Sequence, residues 1–113
     1  MFSRISTCFG LFCCYFHDSY KEKLYFRDLF FVKYTAEGQS GLELHRDGSV
    51  VSFNILLNGL EDFDGGGTYV EADDEVYSIG QGDCFVHSGK LRHGGQPITR
   101  GERLLLVAFV DVD

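Results

Sequence analysis

The chain has 113 residues and a net charge of −7, with 44% apolar and 24% charged residues. That length is a prior for one domain able to bury roughly two thirds of its unfolded surface, and the composition is that of a folded protein rather than a disordered one. The acidic balance excludes a nucleic-acid partner, because phosphate backbones need a basic stripe and the sequence has no Lys/Arg cluster.

The first sixteen residues, MFSRISTCFGLFCCYF, carry one Arg and then a mostly apolar run too short to span a bilayer. They have the outline of an atypical leader, without an A-x-A-like cleavage site, or of an altered chain start. The adjacent Cys13 and Cys14 are a candidate lipidation pair, and no transmembrane segment is expected. Cys8, Cys13, Cys14 and Cys84 form no CxxC motif, which removes zinc-ribbon and thioredoxin readings. Their scatter leans towards a reducing, cytoplasmic compartment, while the leader-like start leaves the secretory pathway open.

Residues 18–30, DSYKEKLYFRDLF, read as a short helix. Ser19 and Glu22 fit a capping box, and Tyr20 and Leu24 share one face. We therefore divide the chain into an N-terminal segment, 1–29, and a main domain, 30–113. From residue 30 the texture becomes strand and turn. FFVKY (30–34) is an apolar β run. LELHRD (42–47) alternates Leu42, Leu44 and Arg46 against Glu43, His45 and Asp47. VVSFNILLN (50–58), GGGTYVEA (65–72) and VYSIGQGDCFVHSG (76–89) follow. RHGGQPITRGERLLLVAFVDV reads as two strands about a turn near Arg100-Gly101. Short strands with frequent turn signals and no intervening helices predict an all-β sandwich or barrel.

Two acidic runs, EDFD (61–64) and EADDE (71–75), punctuate these strands. A solvated polar surface is the simpler account, and a rim attracting a cationic substrate the sharper one.

In an extended chain, residues i and i+2 point to the same face, so His45 and Asp47 project into one space. His93, in LRHGG, supplies a third donor. Two imidazoles and one carboxylate with open positions form the facial arrangement that suits ferrous iron. Ten residues further on, Arg103 sits in the apolar run GERLLLVAFV. Placed on a strand beside that of His93, it points into the same interior and needs an anionic partner there. A carboxylate gripped by both guanidinium edges meets that need. Arg100 is the nearby competitor for this role.

HRD followed by His93 and Arg103, with FVKYTAEGQ, SFNILLN, FDGGGTYVE and VHSGKLRHGGQPITRGERLLLVAFVD, resembles the 2-oxoglutarate and iron(II)-dependent dioxygenases, most of all the prolyl 4-hydroxylase and lysyl hydroxylase branch. The resemblance spans about residues 30–112. It implies a double-stranded β-helix, or jelly roll, preceded here by the short helix read over 18–30. It also implies that His45, Asp47 and His93 bind iron(II), and that Arg103 grips the distal carboxylate of 2-oxoglutarate, with Tyr34 and Thr68 helping to hold it. The implied reaction hydroxylates a C–H bond, in a prolyl or lysyl side chain or a small molecule, using O2 and releasing succinate and CO2. Ascorbate is the expected reductant. Members of the family carry helices and extra strands before HxD, part of which this chain is expected to lack. A shortened, inactive member or a cupin-like metal- or ligand-binding module without turnover is accordingly the alternative.

Beside these, His87 could extend the set to a three-histidine zinc site, but a packed or mouth-lining histidine is the simpler reading. Cys84 reads as a small core residue. Gly65–Gly67 read as a turn, because no Lys-Ser/Thr or following helix completes a phosphate loop.

Overall fold

A computed structural model describes residues 2–5 and 23–113 of the chain. Among the described residues there are ten strands and one turn of 3-10 helix. They are β1 (Phe2–Ile5), β2 (Leu24–Thr35), β3 (Leu42–His45), β4 (Val51–Leu56), β5 (Phe63–Gly65), β6 (Thr68–Val70), β7 (Glu75–Tyr77), β8 (Cys84–Ser88), β9 (His93–Gly95) and β10 (Ile98–Val112), with the helical turn at Leu60–Asp62. The larger sheet has the order β1-β8-β4-β10-β2, with β5 also paired to β10, and the smaller has the order β3-β9-β6-β7. All pairings are antiparallel. This is the expected jelly roll. Among the described residues no helix is long and apolar enough to cross a membrane.

The alternation of residues along the strands sorts side chains to two faces of the larger sheet. Its central strand, β4, reads VSFNIL and is buried along nearly its whole length, as a strand covered on both sides must be. Register places Val51, Phe53, Val86, Ala108 and Val110 on one face, where with Cys84 they form a buried cluster. Leu56, Phe85 and Leu105 point the other way. They join Tyr34, Phe63, Val70, Ile79, Leu91 and Ile98 in the main core.

Three expectations change. The helix predicted over 18–30 is overturned where it can be seen, because Leu24–Phe30 belong to β2. Residues 18–22, with the proposed capping box, lie outside the described residues. The reason is tertiary: β2 pairs with β10 from Thr35 opposite Glu102 to Leu24 opposite Val112, and that ladder overrides a local helical pattern in a segment rich in β-favouring aromatics. The strand also runs through the 29/30 division.

Second, the chain does not turn at Arg100-Gly101. β10 is a single fifteen-residue strand, and Gln96-Pro97 is the link between β9 and β10. Gly101 instead lies within the strand at φ +77°, close against the Asp62 carbonyl. A side chain there would meet both the steric barrier to positive φ and that backbone oxygen.

Third, His93 and Arg103 are not on paired strands. β9 belongs to the smaller sheet and β10 to the larger, so the two residues face one another across the interior.

Leu56 is 1% exposed at the centre of the main core. Leu56→Ala should lower stability by roughly 2–5 kcal/mol, read as a shift in the urea midpoint with unchanged m-value.

Candidate active site

Between the sheets lies a cavity of about 90 Å³. The six residues that the resemblance assigned to iron and 2-oxoglutarate line it: Tyr34, His45, Asp47, Thr68, His93 and Arg103.

His45 ends β3 and His93 begins β9. The two strands pair with these residues directly opposite, and their rings lie 4.5 Å apart. Asp47 follows β3 by two residues and turns its carboxylate between them, with Oδ1 3.2 Å from His45 Nε2 and 3.6 Å from His93 Nε2. The i/i+2 geometry argued for HRD is realised even though the strand has ended by residue 47. One donor atom from each of the three lies within 4.8 Å of the others, an arrangement able to hold a metal ion.

Each imidazole is oriented by a backbone carbonyl close to it in sequence. His45 Nδ1 is 2.8 Å from the Glu43 carbonyl oxygen and His93 Nδ1 is 2.9 Å from that of Leu91. A carbonyl only accepts, so each Nδ1 donates to it, and each Nε2 is the ring nitrogen turned towards Asp47 and available to a metal placed between them. Burial lowers the pKa of His93, opposed by the Leu91 carbonyl and by Asp47. This favours the neutral, ligating ring. The His45 side chain is 33% exposed, which leaves that side of the cluster open to solvent.

Arg103 occupies the other end of the cavity. It is 3% exposed, and it donates from Nη1 to the Gly67 carbonyl at 3.2 Å. Its guanidinium carbon lies 5.6 Å from the centre of the Tyr34 ring. No acidic side chain among the described residues pairs with it. Burial pushes its pKa down, with Tyr34 acting against the shift. A guanidinium stays charged in a protein, and one carbonyl bond leaves most of its five donors unmet, so the pocket suits an anion. Tyr34 is buried beside it, and its hydroxyl pKa is raised by that burial. Thr68, opposite Gly95 in the register of β6 and β9, adds a buried hydroxyl. Gly95 must be glycine here, because a Cβ would sit 2.8 Å from the Tyr34 hydroxyl. The competitor Arg100 is on the surface, where its Nε donates to Asp64 Oδ2 at 2.8 Å.

No family model matches the chain. Among curated proteins it is 40% identical over 86 residues to procollagen-lysine,2-oxoglutarate 5-dioxygenase 2 of Homo sapiens, across 73% of this chain and 12% of that protein. It is 39% identical over 87 residues to the multifunctional procollagen lysine hydroxylase and glycosyltransferase LH3 of Rattus norvegicus, with the same coverage. The chain belongs to the 2-oxoglutarate and iron(II)-dependent dioxygenases, in the prolyl and lysyl hydroxylase-like branch. It spans about an eighth of the length of these relatives (12%).

Solved structures agree on the fold. A 2-oxoglutarate-Fe(II) oxygenase family protein from Burkholderia pseudomallei superposes with TM-score 0.72 at 23% identity, over 81% of this chain and 47% of that one. The viral collagen prolyl hydroxylase of Paramecium Bursaria Chlorella virus-1 gives 0.71 at 19% identity, over 92% and 70%.

Within this dioxygenase fold, Asn54 and Arg27 show features that the sequence reading did not assign, while His87 is the packed histidine it expected. His87, on β8, is 2% exposed and its ring lies 4.3 Å from that of His93. Burial, then the His93 charge, lower its pKa to about 4, so it packs as a neutral ring; it is not part of the three-donor cluster. Asn54 lines the cavity from β4.

Arg27 lies in the segment expected to be helical, at an irregularity in the β2–β10 register. It donates from Nη2 to the Asp47 carbonyl at 2.9 Å and from Nη1 to that of Gly48 at 3.4 Å. Nη1 also lies 3.3 Å from the Asp111 carboxylate, which accepts from the Val50 amide. Gly89 O takes the amides of Asp47 and Gly48. The loop that aims Asp47 is thus tied to β2, β10 and the end of β8. No local pattern could have revealed a contact 20 residues distant in sequence.

The acidic runs are largely engaged by neighbours. Glu71 pairs with Arg92 at 3.5 Å and Asp64 with Arg100, while the hydroxyls of Tyr69 and Tyr77 donate to Asp74 and Asp73. The hydrogen bond to Asp73 pushes the Tyr77 pKa up to about 12.

Removing the tie to the Asp47 loop should loosen the donor cluster. Arg27→Ala is expected to weaken Mn(II) or Fe(II) binding roughly tenfold, as loss of an outer supporting contact does. Asp47→Ala should abolish binding, and equilibrium dialysis against the metal distinguishes the two.

Proposed function

We propose that the chain is the core of an oxygenase that hydroxylates a C–H bond in a peptide side chain, with lysyl or prolyl residues as the substrate class, at the expense of 2-oxoglutarate and O2. The observation carrying this reading is the pairing of two complementary ends in one cavity. His45, Asp47 and His93 converge at one end, and a buried, carboxylate-free Arg103 waits at the other. The donor set fits iron(II): two imidazole nitrogens and one carboxylate oxygen with no thiolate, the composition expected for a site that keeps open positions.

In this proposal His45, Asp47 and His93 hold the iron, which when bound supplies the redox chemistry with O2 and is kept ferrous by ascorbate. Arg103 takes the distal carboxylate of 2-oxoglutarate, forming the charge-assisted pair that its burial otherwise denies it. The protonated Tyr34 hydroxyl and the Thr68 hydroxyl donate to the same group. Phe30, Val32, Leu105 and Val107 line the passage between the ends and exclude water along the aliphatic part of the co-substrate.

The peptide class is supported by the relatives' names and by an open groove of about 460 Å³ beside the site. It is bordered by Ser40–Leu44, Tyr69 and Gly94–Pro97, and Leu42, Gly94 and Gly95 border both groove and cavity. We assign the catalytic domain to the main domain 30–113 together with the part of β2 that precedes it.

The test is anaerobic titration of the full chain with Fe(II) and 2-oxoglutarate, following the weak visible metal-to-ligand charge-transfer band. Wild type should develop the band, and His93→Ala should not. Arg103→Ala should retain metal and lose co-substrate affinity on the order of a hundredfold. A folded, iron-loaded wild type that shows no band would overturn the proposal in favour of a binding module. In air, with a lysyl or prolyl peptide, succinate should form with hydroxylated product.

A further inference from the structure

Residues 65–67, a run of glycine, carry the chain from β5 to β6, and so from the larger sheet to the smaller. A change of direction alone does not account for what they touch. The Gly66 amide donates to the Pro97 carbonyl at 3.1 Å, and the Gly67 carbonyl accepts from the Gln96 amide at 3.0 Å. The turn is thereby pinned to the link between β9 and β10. A carbonyl oxygen has two lone pairs, and that of Gly67 also accepts from Arg103 Nη1 at 3.2 Å.

Gly66 meets the same arginine along its stem. A Cβ built on Gly66 would lie 3.1 Å from Arg103 Cδ, 3.0 Å from Ile98 Cγ2 and 3.4 Å from Phe63 Cε2. Ile98 and Phe63 belong to the main core and have little room to withdraw. Of the three neighbours, the arginine stem has the most rotatable bonds, so an added methyl group displaces it first. Cδ is bonded to Nε of the guanidinium, so a shift there moves the whole donor fork. Two-point pairing with a carboxylate depends on the placement of that fork. Thr68, with its buried hydroxyl, follows directly. One turn thus supplies room for the stem, an anchor for Nη1 and the position of Thr68.

We propose that Gly66 and the Gly67 carbonyl are positioning elements for Arg103, holding its guanidinium in the orientation that grips the distal carboxylate of 2-oxoglutarate. The assignment rests on the dioxygenase reading above. Neither glycine needs to touch the co-substrate; both act through the arginine. A turn serving only to redirect the chain would accept a residue that tolerates positive φ, at a cost to stability alone.

The test compares two ligands of the Mn(II)-loaded full chain by calorimetry, without turnover. They are 2-oxoglutarate, and oxalate, which chelates but has no distal carboxylate. Gly66→Ala and Gly66→Asn should each weaken 2-oxoglutarate about tenfold while oxalate and Mn(II) affinities stay within about twofold. The backbone of Gly66 has φ +78°, which Asn adopts more readily than Ala. A loss common to both variants therefore comes from the added side chain rather than from strain. Gly82→Ala is the control, because Gly82 has φ +81° and nothing within 4 Å of an added Cβ. It should lower the melting temperature and leave both affinities unchanged. In an Arg103→Ala background, Gly66→Ala should cause no further loss of 2-oxoglutarate affinity, because its effect passes through the arginine.

Unchanged 2-oxoglutarate affinity in both Gly66 variants, an equal loss of both ligands, or a further loss in the Arg103→Ala background would each overturn the proposal. If neither Gly66 variant folds while Gly82→Ala does, the glycine is a requirement of the fold, and the proposal again fails. A wild-type, Mn(II)-loaded chain that binds neither ligand would instead overturn the dioxygenase reading, and this assignment with it.

Discussion

The site depends on one long strand. β10 pairs with β2 along one edge and β4 along the other, and it takes β5 at its start. Its alternation sends Arg103, Leu105, Val107 and Phe109 into the cavity and packs Ala108 and Val110 against the opposite face of the sheet. Because both edges are hydrogen-bonded, the strand cannot slip by one residue without exchanging these two sets. That constraint holds the guanidinium inside, in front of Tyr34, at a fixed distance from donors carried on the other sheet.

The interior built this way is unusually polar. Arg103, His87, His93, Asn54 and Thr68 are all buried, and groups of this kind cost stability wherever they lack partners. Two apolar clusters flank them, one between the sheets and one on the far face of the larger sheet. These supply the favourable burial that lets the fold carry such a lining. The histidines lower their own cost by bonding to carbonyls near them in sequence, and the same bonds orient their Nε2 atoms. Arg103 has only the Gly67 carbonyl to donate to, and Asn54 Oδ1 has no hydrogen-bond partner, so among the described residues these two carry the uncompensated cost of the lining.

The order of control around the His45, Asp47 and His93 cluster is also clear. The pairing of β3 with β9 sets His45 against His93. Asp47, beyond the end of β3, needs outside support, and Arg27, Gly89 and Asp111 provide it from separate strands. The carboxylate is therefore sensitive to the placement of β2, a strand that contributes no metal donor.

Much of this was legible from residue order alone. Period-two alternation in LELHRD and VSFNIL gives faces without knowledge of partners, and His45 with Asp47 is a purely local pair. The spacing of His93 and Arg103 was informative through resemblance, although the turn first drawn between them does not exist. A glycine in a strand looks like a turn until the neighbouring backbone that requires it is known. In the same way, YKEKLYFRDLF carries a plausible helical stripe, and only the availability of the edge of β10 decides that its second half is a strand.

What the sequence by itself determined was the strand-rich class and the inward-facing pairs such as His45 with Asp47, because these follow from side-chain chemistry and a two-residue period. Which strands become neighbours was decided by tertiary structure. So were the placement of His93 and Arg103 on opposite sheets, the burial of Arg103 rather than Arg100, the tie from Arg27 to the Asp47 loop, and the unpaired state of Asn54. Each is a contact between segments far apart in sequence, and its energy is set by desolvation and pairing in the assembled interior rather than by any local preference.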